Sequence, residues 1–165
     1  MLFRFLFLLL ISGLAWAQDG PGSNKKFVVI ETQVQRAGQP VSNKNPQIRR
    51  WYISNLVAPP DDIPSYSLKK KSDEYFEAQV VAPLKRQGIE LICYDNNVEL
   101  NDGAVYGMNN DQEVEDCRQK AIQGHKEQSG NIFFFNWNFD PAAPADLKLH
   151  YRDKSQPLYE VKKKP

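Results

Sequence analysis

Two histidines and two cysteines are the scarcest chemistry-bearing residues in this sequence, and neither pair falls into a catalytic spacing. His125 sits beside Lys126 near the predicted end of a helix, where a cationic ring complements the helix dipole. His150 lies on the charged side of an alternating stretch, and both histidines read as surface residues. H-E-x-x-H, G-x-S-x-G, the P-loop and C-x-x-C are all missing. Asp95, Asn97 and Glu99 alternate like the start of a calcium loop, but Gly103 comes too late for the D-x-N-x-N-G core. That stretch reads as a solvated hairpin. The paired acids Asp61–Asp62 and Asp73–Glu74 suit loop solubility and helix capping. No catalytic residue, metal ligand or cofactor is assigned.

The aromatic residues are the stronger lead. Trp51, Tyr52, Tyr94, Tyr106, Phe134 and Trp137 all fall on predicted strands. Rings exposed on a sheet stack on sugars or partner side chains, whereas buried ones are simply core. Trp51, Tyr52, Tyr94, Tyr106 and Phe134 are therefore the candidate binding residues. Arg49–Arg50 and Lys69–Lys71 flank the same region. The cysteines form a candidate disulfide. Ile89, Leu91 and Cys93 share a strand face, and Cys117 shares a helix face with Val114 and Ala121. The alternatives are a strand-to-helix bridge and two buried free thiols.

The elements that must position these residues follow from periodicity. Phe27–Val34 reads as a strand with both faces covered, because its start is continuously apolar. Ala37–Pro46 is a loop, and Trp51–Val57 is a second strand. Ser72 is the expected N-cap of a helix carrying Phe76, Val80 and Leu84, with a kink or a weak last turn at Pro83 and a stop at Gly88. Ile89–Tyr94 is a strand, Asn101-Asp102-Gly103 a turn, and Ala104–Met108 its antiparallel return. Asn109–Asp111 caps a second helix through Val114, Cys117 and Ala121. In Ile132–Phe139, residues Phe133, Phe135, Trp137 and Phe139 share one face. Leu147, Leu149 and Tyr151 mark a late strand, with Pro157–Val161 as its partner.

From Trp51 to Phe139 the order is strand, helix, strand, strand, helix, strand. That predicts an α+β fold, a ferredoxin-like split β-α-β sandwich with two helices on one face of an antiparallel sheet. Extra N- and C-terminal strands would extend or shield it. One domain is expected over residues 27–161, preceded by a flexible leader (18–26) and followed by a basic tail (162–165).

Residues 1–17 have the organisation of a cleavable signal peptide. Arg4 precedes an apolar run from Phe5 to Leu14, and Ala15-Trp16-Ala17 supplies the cleavage site. The run is shorter than the roughly 17–25 apolar residues of a spanning helix. No later segment is apolar enough to span a bilayer. Losing Arg4 brings 21 basic residues level with 20 acidic ones. A neutral mature chain has no electrostatic footprint for nucleic acid. No Asn lies in an N-x-[ST] sequence. A periplasmic or secreted bacterial protein is expected.

Val105-Tyr106-Gly107-Met108, followed by Gln112 through Ala121, resembles the second half of a SPOR domain: a glycine at a strand end, a polar turn, then a helix of the Glu-x-x-x-x-Arg type. Trp51-Tyr52-Ile53-Ser54 corresponds to the aromatic first strand. The resemblance spans about Trp51 to Phe139. It implies an envelope-associated module that binds peptidoglycan glycan stripped of its peptides, and it assigns no ligand residues. The expected function is a non-enzymatic binding module of the cell envelope, taking a polymer or a protein partner. The alternative is a small periplasmic inhibitor or immunity-type protein.

Overall fold

The computed structural model describes residues 23–92, 98–102 and 108–159. The expected signal peptide, Cys93, Tyr94, Asp95, Asn97, Tyr106 and the basic tail lie outside them. So does most of the Val105–Met108 segment.

The chain is an α+β protein built on one mixed sheet. Its strands are β1 (Lys26–Arg36), β2 (Ile48–Ser54), β3 (Ile89–Ile92), β4 (Val98–Asp102), β5 (Asn131–Phe135) and β6 (Lys148–Tyr151). The helices are α1 (Ser65–Phe76), continued through a π-helical turn at Glu77–Val81 into α2 (Ala82–Arg86), and α3 (Asp111–Lys126). Across the sheet the order is β3-β1-β2-β5-β6, with β4 also paired to β1. β1 runs antiparallel to β2, β3 and β4; β2 and β5 are parallel; β6 returns antiparallel to β5.

β1 holds the centre, and its sequence explains why. Val28, Ile30 and Val34 enter the core that contains Tyr75, Phe76, Val80 and Leu84 from the α1–α2 layer. Phe27 and Val29 enter a second core, with Val114 and Ile122 of α3. Both faces are covered, as the unbroken apolar start predicts. Thr32, buried at the middle of the strand, donates its hydroxyl to the Ile92 carbonyl at 2.8 Å.

The two helices therefore cover opposite faces, not one. This corrects the ferredoxin-like arrangement, and the cause lies between β3 and β4. Asn101 and Asp102 are not in a turn. They pair with Phe27 and Lys26, so β4 follows β3 along the same edge of β1 and in the same direction. Past the end of β3, β1 still presents unpaired N–H and C=O groups, and β4 satisfies them. The crossover β2–α1–β3 moves across the sheet one way, and β4–α3–β5 moves back the other. Parallel crossovers share one hand. Reversing direction while keeping that hand places the second helix on the far face. The N-terminal strand is likewise central rather than an added edge, and the parallel pair β2–β5 replaces the expected antiparallel neighbour.

Helix α1 begins earlier than Ser72 predicts. Ser72 is buried in the helix interior and back-bonds to the Leu68 carbonyl at 2.8 Å. The expected disturbance at Pro83 takes the form of the π-helical turn. Proline has no N–H for the next backbone bond, and the ladder has already slipped one residue, with the Ala82 N–H on the Glu77 carbonyl. Gly88 ends the run at φ 77°, as its position suggests.

Helix α3 matches its reading. Asn110 Oδ1 accepts from the Glu113 N–H at 3.0 Å, and Glu113 Oε2 accepts from the Asn109 N–H at 2.8 Å. Val114 and Ile122 are buried, with Cys117 and Ala121 packed beside them. In β5 and the segment after it, Phe133, Phe135 and Trp137 join the α1-side core, while Ile132 and Phe134 face α3. Pro157–Tyr159 form no strand beside β6. Tyr159 instead donates to the Pro46 carbonyl at 2.7 Å and to Asn45 at 3.1 Å. This ties the C-terminal segment to the Ala37–Pro46 loop.

Gly130 is fixed by sterics. A Cβ there would meet Trp51 Cζ3 at 2.4 Å and the Arg49 carbonyl at 2.9 Å. A Cβ on Gly124, within α3, would meet nothing within 4 Å outside its own helix backbone. Gly130→Ala is expected to lower unfolding free energy by about 2 kcal/mol through overpacking. Gly124→Ala is expected to raise it by about 0.5–1 kcal/mol through helix propensity. Equilibrium urea denaturation of the two variants checks both signs.

Candidate functional site: an amide-lined groove and an arginine pocket

The aromatic candidates separate once the sheet has two covered faces. Trp51 and Tyr52 are consecutive in β2, so their rings point to opposite layers, and both are 0% exposed. Trp51 stacks on His125 at 5.0 Å, with the Arg49 guanidinium 5.6 Å from its ring centre. Tyr52 stacks on Phe133 at 5.5 Å and meets Phe76 edge-on at 5.2 Å. Neither ring is a surface platform, which corrects their assignment as binding residues. Burial also raises the Tyr52 hydroxyl above its ordinary pKa, against the lowering effect of Arg50. Phe134 is half-buried. Its ring stacks on His150 at 3.9 Å, and the Arg118 guanidinium lies 4.8 Å from it. Tyr94 and Tyr106 lie outside the described residues.

Cys117 is a free, half-buried thiol against the α3-side core, so of the two alternatives the candidate bridge to Cys93 is not formed here. His125 is half-buried against Trp51 rather than solvated. His150 is exposed on the edge strand β6, as expected. Among the described residues no three His, Cys, Asp or Glu side chains converge to hold a metal ion. Among them, too, no helix is long and apolar enough to cross a membrane.

Two concave sites stand out, one on each side of the sheet. The first is an open groove of about 410 Å³ lined by Gln33, Gln47, Arg49, Ser129 and Gln156. Gln33 and Arg49 face each other across β1 and β2, two pairs beyond Glu31 and Trp51. Strand alternation places all four on the α3 side. Glu31 holds Arg49 in place through a 3.0 Å ion pair. Gln156 contributes a buried side-chain oxygen with no hydrogen-bond partner. The groove is thus walled by amides and a hydroxyl, with one cation held at its edge.

The second is a pocket of about 200 Å³ on the α1–α2 side. Leu84, Ile89, Phe133, Leu149 and Leu158 form most of its wall, and Arg50 is its one charged residue. Period two places Arg50 here, between Ile48 and Tyr52 on the core face, while Arg49 goes to the groove. An arginine in the apolar phase of a strand was the sequence signal for this pocket. For the groove the signal was weaker: Gln33 and Gln35 alternate in β1, but Ser129 and Gln156 arrive from distant segments.

Compared with protein families, with curated proteins and with solved structures, the chain matches none. Its sites have to be read from their own residues.

Around Phe134, Arg118 is anchored by the Ser54 carbonyl at 2.6 Å and Glu115 at 3.1 Å. Partial burial, then the charges of Lys126 and Arg118, hold the His150 imidazole below its ordinary pKa. A depressed imidazole binds its proton more weakly folded than unfolded. The stability it contributes is present above about pH 6.5 and is lost as pH falls through the lower, folded value. Melting temperature is therefore expected to fall between pH 6.5 and 5 more steeply for the wild type than for His150→Gln. Equal slopes in a pH series of thermal melts would contradict this environment for His150.

Proposed function

We propose that the protein is an exported, non-enzymatic binding module of the bacterial cell envelope. Its ligand in this reading is a polymer rich in hydroxyl and amide groups, the glycan of peptidoglycan, taken along the groove beside β1 and β2. The observation that carries the proposal is the lining of that groove. Glutamine amides donate and accept in one plane, and a serine hydroxyl does both, which suits sugar hydroxyls and N-acetyl groups. The Gln156 oxygen is already desolvated and has no partner, so a ligand donor would add a hydrogen bond at little further cost. The groove is open enough for a chain to pass along it.

Three features of the sequence support the same reading. Residues 1–17 have the form of an export signal. The mature chain is electrically balanced, which suits a neutral glycan better than a polyanion. The likeness of Gln112–Ala121 and of Trp51–Ser54 to a SPOR domain points to stripped glycan strands.

A second reading, an inhibitor or immunity-type protein that grips a protein target, is favoured by Tyr66. Its side chain is 88% exposed at the start of α1, within the Ala58–Lys71 segment. An unshielded tyrosine is a usual anchor of protein contacts.

Sedimentation with stripped glycan strands separates the two. Wild-type protein is expected to co-sediment, and Gln33→Ala combined with Arg49→Ala is expected to weaken retention about fivefold or more. Arg49 and Glu31 form an exposed pair, so their separation costs little stability. Tyr66→Ala is expected to bind glycan normally. Absence of wild-type retention would overturn the glycan reading, and a stable protein complex lost in Tyr66→Ala would replace it.

A further inference from the structure

Arg50 is 1% exposed, which makes it one of the most deeply buried side chains in the molecule. Its guanidinium carries five N–H donors and a permanent charge. Nη2 donates to the Tyr159 carbonyl at 3.0 Å. Nη1 reaches the Tyr52 hydroxyl only at 3.5 Å. Nε is buried and has no partner. The group lies 4.8 Å from the centre of the Phe133 ring. Every one of these partners is neutral, and Tyr52 stays so because burial raises its pKa. Arg49, the next residue, has its carboxylate in Glu31 at 3.0 Å. Among the described residues no carboxylate pairs with Arg50.

A buried cation with only neutral partners is costly. Desolvating the ion takes several kcal/mol, and a carbonyl with a ring face recovers only part of it. The missing component is an anion, and the pocket beside Arg50 is where one can arrive. The cavity specifies the rest of the ligand. Arg50 is the one charge in its wall, so a singly charged group matches it and a phosphate dianion does not. A guanidinium takes a carboxylate through two parallel hydrogen bonds. The remaining wall is mostly leucine, isoleucine and phenylalanine, with Gln87 and Tyr159 as its uncharged polar members, which suits a hydrocarbon. At about 200 Å³ the space is below the roughly 300–1,000 Å³ of sites for drug-sized ligands. It fits a short aliphatic chain or a single ring.

We infer that this pocket binds a small apolar monocarboxylate, with Arg50 as the counter-ion for its carboxylate and the leucine-rich wall around its tail. The pocket and the groove lie on opposite sides of the sheet, so this assignment stands or falls independently of the glycan reading.

Calorimetric titration of the full chain with octanoate, set against 1-octanol, tests it. Octanoate is expected to bind and to raise the melting temperature. Octanol, with the same tail and no charge, is expected to bind about tenfold more weakly or worse. Arg50→Met is expected to lose octanoate binding to the level of octanol while melting no lower than the wild type without ligand. Replacing a buried charge by a hydrophobe of similar length is often stabilising. If Arg50→Met does not fold, Leu149→Trp serves instead. Leu149 is 42% exposed, so a larger ring there narrows the pocket without entering the core. It is expected to weaken octanoate by a similar factor. No octanoate binding up to about 10 mM, equal affinity for octanoate and octanol, or undiminished binding in these variants would overturn the assignment.

Discussion

The strand β1 is paired along both edges and covered on both faces, and the rest of the molecule is arranged around that constraint. A strand whose first half is Phe27-Val28-Val29-Ile30 has no polar face to turn to water, so it must sit inside a sheet with layers on either side. Placed there, it needs a partner on each edge for every backbone N–H and C=O. β2 supplies one edge. The other is supplied by β3 and β4 in succession, because β3 alone faces only Gln33–Arg36. That succession fixes the direction of the second crossover and therefore the face on which α3 lies. Two cores result, one under α1 and α2 and one under α3.

This constraint was half legible in the sequence. The double coverage of β1 followed directly from its apolar run, and α3 followed from the Asn110 cap and the spacing of Val114, Cys117 and Ala121. In both cases local chemistry and tertiary packing ask for the same thing. The turn reading failed at Asn101 and Asp102 because they disagree. Asn-Asp-Gly has strong turn propensity, but the open edge of β1 offers more backbone hydrogen bonds than a local turn. Ser72 failed for a similar reason. A serine followed by two acids is a good cap in isolation, yet the hydroxyl is equally content on the carbonyl four residues back, and burial of Leu68 and Tyr75 carries the helix through it.

The misreading of Asn101 and Asp102 as a turn propagates to the site. With two helices on one face, the outer face of β2 would be open, and one of Trp51 and Tyr52 would be exposed. With a helix on each face, both rings are core, and the surface chemistry moves to where the helices do not reach. On the α3 side that is the glutamine-lined stretch beyond Trp51. On the α1–α2 side it is the pocket at Arg50. Neither place was visible from the aromatic pattern. The groove assembles residues more than a hundred positions apart, and the pocket depends on Leu158 and Tyr159 folding back over β2 and β5.

Arg49 and Arg50 show how one residue of register separates two physical situations. Arg49 emerges on the groove side, half in solvent and ion-paired with Glu31, and its charge costs almost nothing. Arg50 emerges into the core side among Ile48, Tyr52 and Phe133. Stability alone would fill that position with leucine or methionine, which match the neighbouring surfaces and carry no desolvation penalty. The structure instead surrounds the guanidinium with neutral groups that tolerate it without neutralising it: one carbonyl, a distant phenol and the face of a ring. A carboxylate in any of those places would have satisfied Arg50 permanently and closed the pocket to anions. Leaving the charge without an internal counter-ion keeps it available to an external one, and the apolar wall beside it restricts which anions can use it.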